Sequence, residues 1–169
     1  MSIWFLILLI IVVLFSFVII RGAPYVPSQR RYIKRAFTHL YKIDANDVLV
    51  DIGSGDGVVL RMAAKMGARA VGYELNPVLA LLSKVLGNHR TTTYLTDFWL
   101  TELPVDTTIV YVFMVQKMSK RLEKKLQDFV NQQNRPIKVM AYGIPFRQRQ
   151  AEKTLDAYFL YTFQPLQSR

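Results

Sequence analysis

The 169-residue sequence contains no cysteine. This excludes a disulfide framework, a cysteine-based zinc site and a thiol nucleophile, and with them cysteine proteases and cytosine-C5 nucleic-acid methylation. A reducing compartment is permitted. Acidic side chains are scarce, with 12 Asp and Glu against 22 Lys and Arg, a formal net charge of +10. Histidine occurs only at His39 and His89. These lack metal-ligand spacing, so no metal site is expected and both read as surface or helix-end residues. Internal repeats and low-complexity tracts are missing as well. What is present, 51% hydrophobic residues over a length that suits one domain, excludes a disordered chain and a two-domain enzyme.

Charge is missing altogether before Arg21. Ile3 to Ile20 is a run of 18 residues whose single polar member is Ser16. As a helix it reaches roughly 27 Å, slightly under the hydrocarbon thickness of about 30 Å, a gap that Trp4 and Arg21 at its ends can bridge. The expectation is a transmembrane anchor over residues 1–21. A cleaved signal peptide would need a basic leader and an A-x-A-like site, neither of which is there, and a buried soluble helix would be shorter. Positive charges follow at Arg21, Arg30, Arg31, Lys34 and Arg35, which predicts a single-pass membrane protein with the rest of the chain on the cytoplasmic side. Residues 22–43 read as a linker, Gly22-Ala23-Pro24-Tyr25-Val26-Pro27, and a helix over Ser28 to Tyr41 with Ser28 as N-cap. Tyr32, Ile33, Ala36, Phe37, Leu40 and Tyr41 fall on one stripe of that helix, with the basic residues opposite. The basic face suits an anionic lipid surface or plain solvent equally.

Residues 44–169 follow an α/β pattern. Strands are expected at Asp47 to Ile52, Arg69 to Glu74, Thr92 to Thr96, Thr107 to Met114, Ile137 to Gly143 and Ala157 to Phe163, and helices at Gly57 to Met66, Pro77 to Leu86 and Lys117 to Asn131. Continuous apolar runs such as Ile109 to Met114 imply burial on both faces, hence a mostly parallel sheet with helices on each side.

Candidate chemistry concentrates at Val50-Asp51-Ile52-Gly53-Ser54-Gly55-Asp56-Gly57. A strand that runs into three glycines and then a helix is a ligand loop, because glycines let the backbone turn sharply and approach a bound molecule. A dinucleotide loop needs its third glycine where Val58 stands, and a P-loop needs Gly-Lys-Ser/Thr, which is absent. Asp51 at the strand end is poorly placed for a pyrophosphate and suits a ligand carrying an ammonium group. Glu74 ends the second strand, where a carboxylate accepts both hydroxyls of a ribose. Asp97 ends the third, where it can accept from an adenine amine beside an aromatic ring. Alone, each of these last two reads more readily as a turn or helix-start carboxylate. The three in order outline a nucleoside bearing an amino acid.

Asp51 to Gly57, Glu74 and Asp97 resemble the first motif, the ribose acid and the adenine acid of class I S-adenosylmethionine-dependent methyltransferases. The wider wording, Gly22 to Ser28, Gly67 to Pro77 and Met118 to Leu126, resembles the membrane-associated protein-lysine methyltransferases that modify the ATP synthase c subunit and the adenine nucleotide translocase. The resemblance covers about residues 22–163. It implies a Rossmann-like sheet with an antiparallel C-terminal strand, S-adenosyl-L-methionine as cofactor, and transfer of methyl to the lysine of a membrane-associated protein. Asp51, Gly53, Gly55 and Gly57 would then cradle the methionine part, Glu74 take the ribose and Asp97 the adenine edge, with Ser54, Asn76 and Phe98 also binding the cofactor. Tyr25 and Pro27 would close the site from the N-terminal side. Phe113, Met114 and Gln116 would line a channel for an aliphatic chain. The chain departs from the family at Val78, where Trp is usual, at Asp97-Phe98-Trp99, where Asp-Leu-Trp is usual, and in a tail with room for one clear strand after Gly143 instead of a pair. The rival readings are an RNA or small-molecule methyltransferase and a non-catalytic, membrane-tethered cofactor-binding module. Methylation of an exocyclic base amine would call for Asn/Asp-Pro-Pro-Tyr/Phe where Phe113-Met114-Val115-Gln116 stands, so nucleic acid is not the expected partner.

Overall fold

The computed structural model describes residues 2–9, 12 and 29–166. Its core is a seven-stranded sheet of order β3-β2-β1-β4-β5-β7-β6. The strands are β1 (Val48–Ile52), β2 (Arg69–Glu74), β3 (Thr91–Leu95), β4 (Ile109–Met114), β5 (Ile137–Gly143), β6 (Lys153–Leu155) and β7 (Tyr158–Phe163). The first five are parallel, and β7 runs antiparallel between β5 and β6. This is the mostly parallel sheet that the apolar runs imply, and the Rossmann-like sheet that the resemblance implies. β1 is buried at every position, as a central strand covered on both faces must be.

The tail corrects the expectation of a single strand after Gly143. Lys153-Thr154-Leu155 is too short to show alternation, yet it pairs with β7 across a tight turn closed by Leu155 opposite Tyr158, with Asp156 at φ +53°. The antiparallel pair is therefore complete.

Helices α2 (Val58–Lys65) and α3 (Pro77–Leu86) cover one face and α4 (Ser119–Gln133) the other, as right-handed crossovers in opposite directions from β1 require. Val58, Val59, Leu60 and Ala63 of α2 pack with Leu49, Ile109 and Tyr111. Leu122, Leu126, Phe129 and Val130 of α4 pack with Val110, Val112 and Val139. Each large side chain fully buried here contributes roughly 1.5–3 kcal/mol.

The helix expected over Ser28 to Tyr41 is an α-helix, α1 (Arg30–Arg35), continued by a π-helical turn over Ala36–Leu40. Thr38 Oγ1 donates to the carbonyls of Lys34 at 2.8 Å and Arg35 at 3.1 Å, the back-bonding that loosens a helical ladder. Ile33, Ala36, Phe37 and Leu40 are buried against α2, while Arg30, Arg31, Lys34 and Arg35 are exposed, so the stripe is as read. Gln29 makes no side-chain cap. Asp47 ties the segment down. Its carboxylate accepts from Tyr41 Oη at 2.9 Å, Thr108 Oγ1 at 2.7 Å and the Asp44 N–H at 3.0 Å.

Residues 3–9 and 12 are helical. Among the described residues no helix is long and apolar enough to cross a membrane. Residues 10, 11 and 13–28 lie outside the described residues. They hold the rest of the expected anchor, the linker with Tyr25 and Pro27, and the expected cap Ser28.

Candidate functional site

The three strand-end acids meet at the carboxyl edge of the sheet. Asp51 on β1 is in register with Gly72 on β2 and Tyr111 on β4. The chain leaves β1 through Gly53, Gly55 and Gly57, at φ +76°, +54° and +77°, conformations that L side chains rarely adopt. Four of the loop's N–H groups are already spent. Gly53 and Ser54 donate to the Tyr73 carbonyl at 2.9 and 3.1 Å, Gly55 donates to Glu74 Oε2 at 2.7 Å, and Gly57 donates to the Ser54 carbonyl at 2.9 Å. Glu74, 6% exposed, also accepts from the Asn76 N–H at 2.7 Å through Oε1, so it clamps the loop to the start of α3. Asn76 Oδ1 in turn caps α3, accepting from Val78 and Leu79.

Unused acceptors lie at the start of the loop. Among the described residues, the carbonyls of Gly53 and Gly55 and the carboxylate of Asp51 accept no hydrogen bond. Asp51 is 3% exposed, and burial, then the charges of Glu74 and Asp56, push its carboxyl well above the usual carboxylate range. A buried, unpartnered carboxylate beside two free carbonyls is costly until a cation arrives. These acceptors disfavour a phosphate beside Asp51 and suit an ammonium or sulfonium. This is what the methionine end of S-adenosylmethionine presents, and nothing lies within 4 Å of where a Gly53 Cβ would point. The residues fit that cofactor.

The other expected contacts divide. Ser54 Oγ is buried without a partner and faces Gly72, so its side chain packs under the loop. Asn76 Nδ2 is likewise buried and unpartnered, a donor held beside Glu74. Asp97 Oδ1 accepts from Trp99 N at 2.9 Å and starts the 3-10 turn Phe98–Leu100, leaving its second oxygen without a hydrogen bond. Phe98 is in the core, 5.8 Å from Tyr73 and 5.4 Å from Trp99 with Lys125 over its ring, and is not a free lid for a base. Met114 also packs into the core beneath α4, because strand alternation sends it to the face opposite Phe113. Gln116 is exposed and its amide meets the Arg147 guanidinium.

Sequence reading misses an aromatic cluster on the α1 side of the same edge. Phe113 lies 5.7 Å from Tyr142, Tyr142 lies 4.6 Å from Tyr158, and Tyr111 Oη donates to Tyr158 Oη at 3.4 Å. Burial pushes the Tyr158 hydroxyl up to about 12, with Tyr142, Asp156 and Asp51 adding to the rise against the Tyr111 hydrogen bond. The signal is the alternation Tyr111-x-Phe113, but linking it to Tyr142 and Tyr158 needs the strand register. A shallow cleft of about 380 Å³ beside α4, lined by Trp99, Glu102, Arg121 and Lys125, contains none of the three acids and is not this site.

A parallel sheet of this order with one reversed strand beside β5, a glycine loop after β1 and acids closing β1, β2 and β3 define a class I methyltransferase. The chain belongs to the family of the ANTKMT methyltransferase domain, whose model matches residues 51–153. It is similar to the lysine N-methyltransferase of the ATP synthase c subunit from Xenopus laevis, 38% identical over an alignment that covers 73% of this chain and 54% of that one. It is also similar to the adenine nucleotide translocase lysine N-methyltransferase of Mus musculus, 34% identical over 62% of this chain and 47% of that one. The chain spans about half the length of these curated relatives. A solved RNA methyltransferase from Salinibacter ruber in complex with S-adenosyl-L-homocysteine shares the fold, with a TM-score of 0.75 over 85% of this chain and 97% of that chain at 22% identity.

Proposed function

We propose that this chain is an S-adenosylmethionine-dependent protein-lysine methyltransferase acting on a membrane-associated protein. The observation that carries the reading is the set of unused acceptors at Asp51, Gly53 and Gly55 in a chain of this family. The relatives named for the ATP synthase c subunit and the adenine nucleotide translocase support a lysine on a protein as the target.

When bound, the cofactor supplies an electrophilic sulfonium methyl, so the chain needs no acid–base dyad. Its residues have positioning work to do. Asp51 and the two carbonyls hold the amino-acid end, Glu74 and Asp97 keep acceptor capacity for the ribose and the base edge, and the rigid loop fixes all of them relative to β4. Phe113 and Tyr142 offer apolar walls at the strand ends, where an aliphatic side chain is aligned and water excluded, a proximity effect worth several kcal/mol. A lysine amine with an ordinary pKa of about 10.4 must lose its proton first, and desolvation between aromatic walls favours the neutral form.

The apolar run Ile3 to Ile20, helical over residues 3–9, is proposed as a single-pass anchor with the catalytic domain on the cytoplasmic side. The exposed basic face of α1 would then lie against anionic headgroups. The test is incubation of the chain with tritiated S-adenosylmethionine and host membranes, followed by mass spectrometry of the labelled band. Methyl-lysine in a membrane protein is expected. Label confined to RNA, or cofactor binding with no transfer to any fraction, would refute the reading.

A further inference from the structure

Helix α3 is apolar on the wrong side. Its sheet-facing positions are Leu79, Ala80 and Ser83, and Ser83 Oγ bonds Thr93 Oγ1 of β3 at 2.7 Å. Its outward positions are Val78, Leu81, Leu82, Val85 and Leu86, spaced i, i+3, i+4, i+7 and i+8, and between 41% and 72% exposed. A solvated surface helix carries polar residues on that stripe. Leu95 of edge strand β3, 52% exposed and in register with Glu74, lies on the same face of the sheet and extends the patch toward the site. A contiguous exposed apolar surface of this kind marks an interaction face.

The charge around the patch selects its partner. From Leu75 to Thr96 the chain contains no acid, and its exposed cations Lys84 and Arg90 flank the apolar stripe. Exposed Arg30, Arg31 and Lys34 of α1, which packs on α2, add positive charge to the same side of the sheet. An apolar face edged by cations, with no carboxylate in its own helix or in β3, suits a helix lying in the plane of a membrane interface.

We propose that the outer face of α3 is a membrane-docking surface, with Val78, Leu81, Leu82 and Val85 at the boundary of headgroups and acyl chains and Lys84 and Arg90 on lipid phosphates. This deepens the proposed function and rests on it only in taking a bilayer as the neighbour. The face begins at Val78, two residues after the capping Asn76, and ten helical residues span roughly 15 Å. Docking therefore holds the Glu74 edge of the site at headgroup depth, so a target lysine needs to project only slightly from the bilayer.

Because the sequence has no cysteine, an introduced one is the only thiol. The full chain carrying Leu81→Cys, Val85→Cys or, as a control on the exposed face of α4, Gln132→Cys is labelled with an environment-sensitive fluorophore. Each is reconstituted into phosphatidylcholine–phosphatidylglycerol vesicles, with and without brominated acyl chains. Emission from positions 81 and 85 is expected to shift to the blue and to be quenched by the brominated lipid, while position 132 is unchanged. Adding Lys84→Glu and Arg90→Glu to Val85→Cys should remove most of the quenching. Emission at 81 and 85 that ignores brominated lipid overturns the proposal. So does a blue shift that appears only as copies cross-link at high protein-to-lipid ratio, which makes the face a self-interface, or only when membrane proteins are added, which makes it a protein-docking face. Methyl transfer is assayed on the same samples. Quenching without transfer to any lysine strikes the proposed function alone, and transfer without quenching strikes the docking alone.

Discussion

Asp51 is buried at the end of β1 with its carboxyl raised by burial, Glu74 and Asp56, and this couples ligand binding to pH. A carboxyl whose folded value lies above its unfolded value of about 3.9 binds its proton more tightly in the folded chain, so stability falls as pH rises past about 3.9 until the folded value is passed. Asp51→Asn should therefore raise the melting temperature of the ligand-free protein at neutral pH, with the difference vanishing below about pH 3.9, where both forms are neutral. Thermal denaturation over a pH series checks this. The glycines of the loop separate in the same manner. Gly53 and Gly57 share a left-handed backbone, but a Cβ at Gly53 meets nothing within 4 Å whereas one at Gly57 collides with the Ser83 side chain of α3. Gly53→Ala should lose about 1–2 kcal/mol in urea unfolding, from backbone strain alone, and also weaken cofactor binding by filling the ligand's space. Gly57→Ala should lose distinctly more stability.

At the scale of elements, β2, α3 and β5 are legible to the residue, because Asn76-Pro77 gives α3 a cap and a first-turn proline, Gly87 ends it, and Pro136 and Gly143 bracket β5. The strand-end acids are legible too, since strand ends at glycines and Asx turns are punctuated. Three features are not. β6 is three residues long and gains its identity only by pairing with β7. The tyrosine cluster joins residues on β4, β5 and β7 that only the register brings together. α3 reads as an apolar helix without disclosing which side the sheet covers, because small Ala80 and Ser83 suffice for the inner face. Helix α4 shows how a terminus is set locally: Asn134 stops it at φ +48°, ahead of Arg135-Pro136. Asn134→Gly should be neutral or slightly stabilising, and Asn134→Val should lose roughly 1–2 kcal/mol, both measured by urea unfolding.

At the scale of the whole molecule, the seven residues from Gly22 to Ser28 reach at most roughly 25 Å, so a domain held by the proposed anchor would stay near the bilayer. Tethering raises the effective concentration of membrane-borne targets toward the millimolar range without a new contact in the site. Deleting residues 1–21 should leave methylation of a soluble lysine peptide nearly unchanged and sharply slow that of a membrane-embedded protein. Equal losses on both would make the segment structural, and equal retention would remove the membrane from target choice. All of this depends on the cradle holding a cationic nucleoside, and calorimetric titration of S-adenosylmethionine into the full chain and its Asp51→Ala and Glu74→Ala variants tests that directly. The account predicts binding by the parent chain and a loss of roughly 1.5–3 kcal/mol in each variant, since each removes a charge-assisted partner. An affinity unchanged in both variants would contradict it.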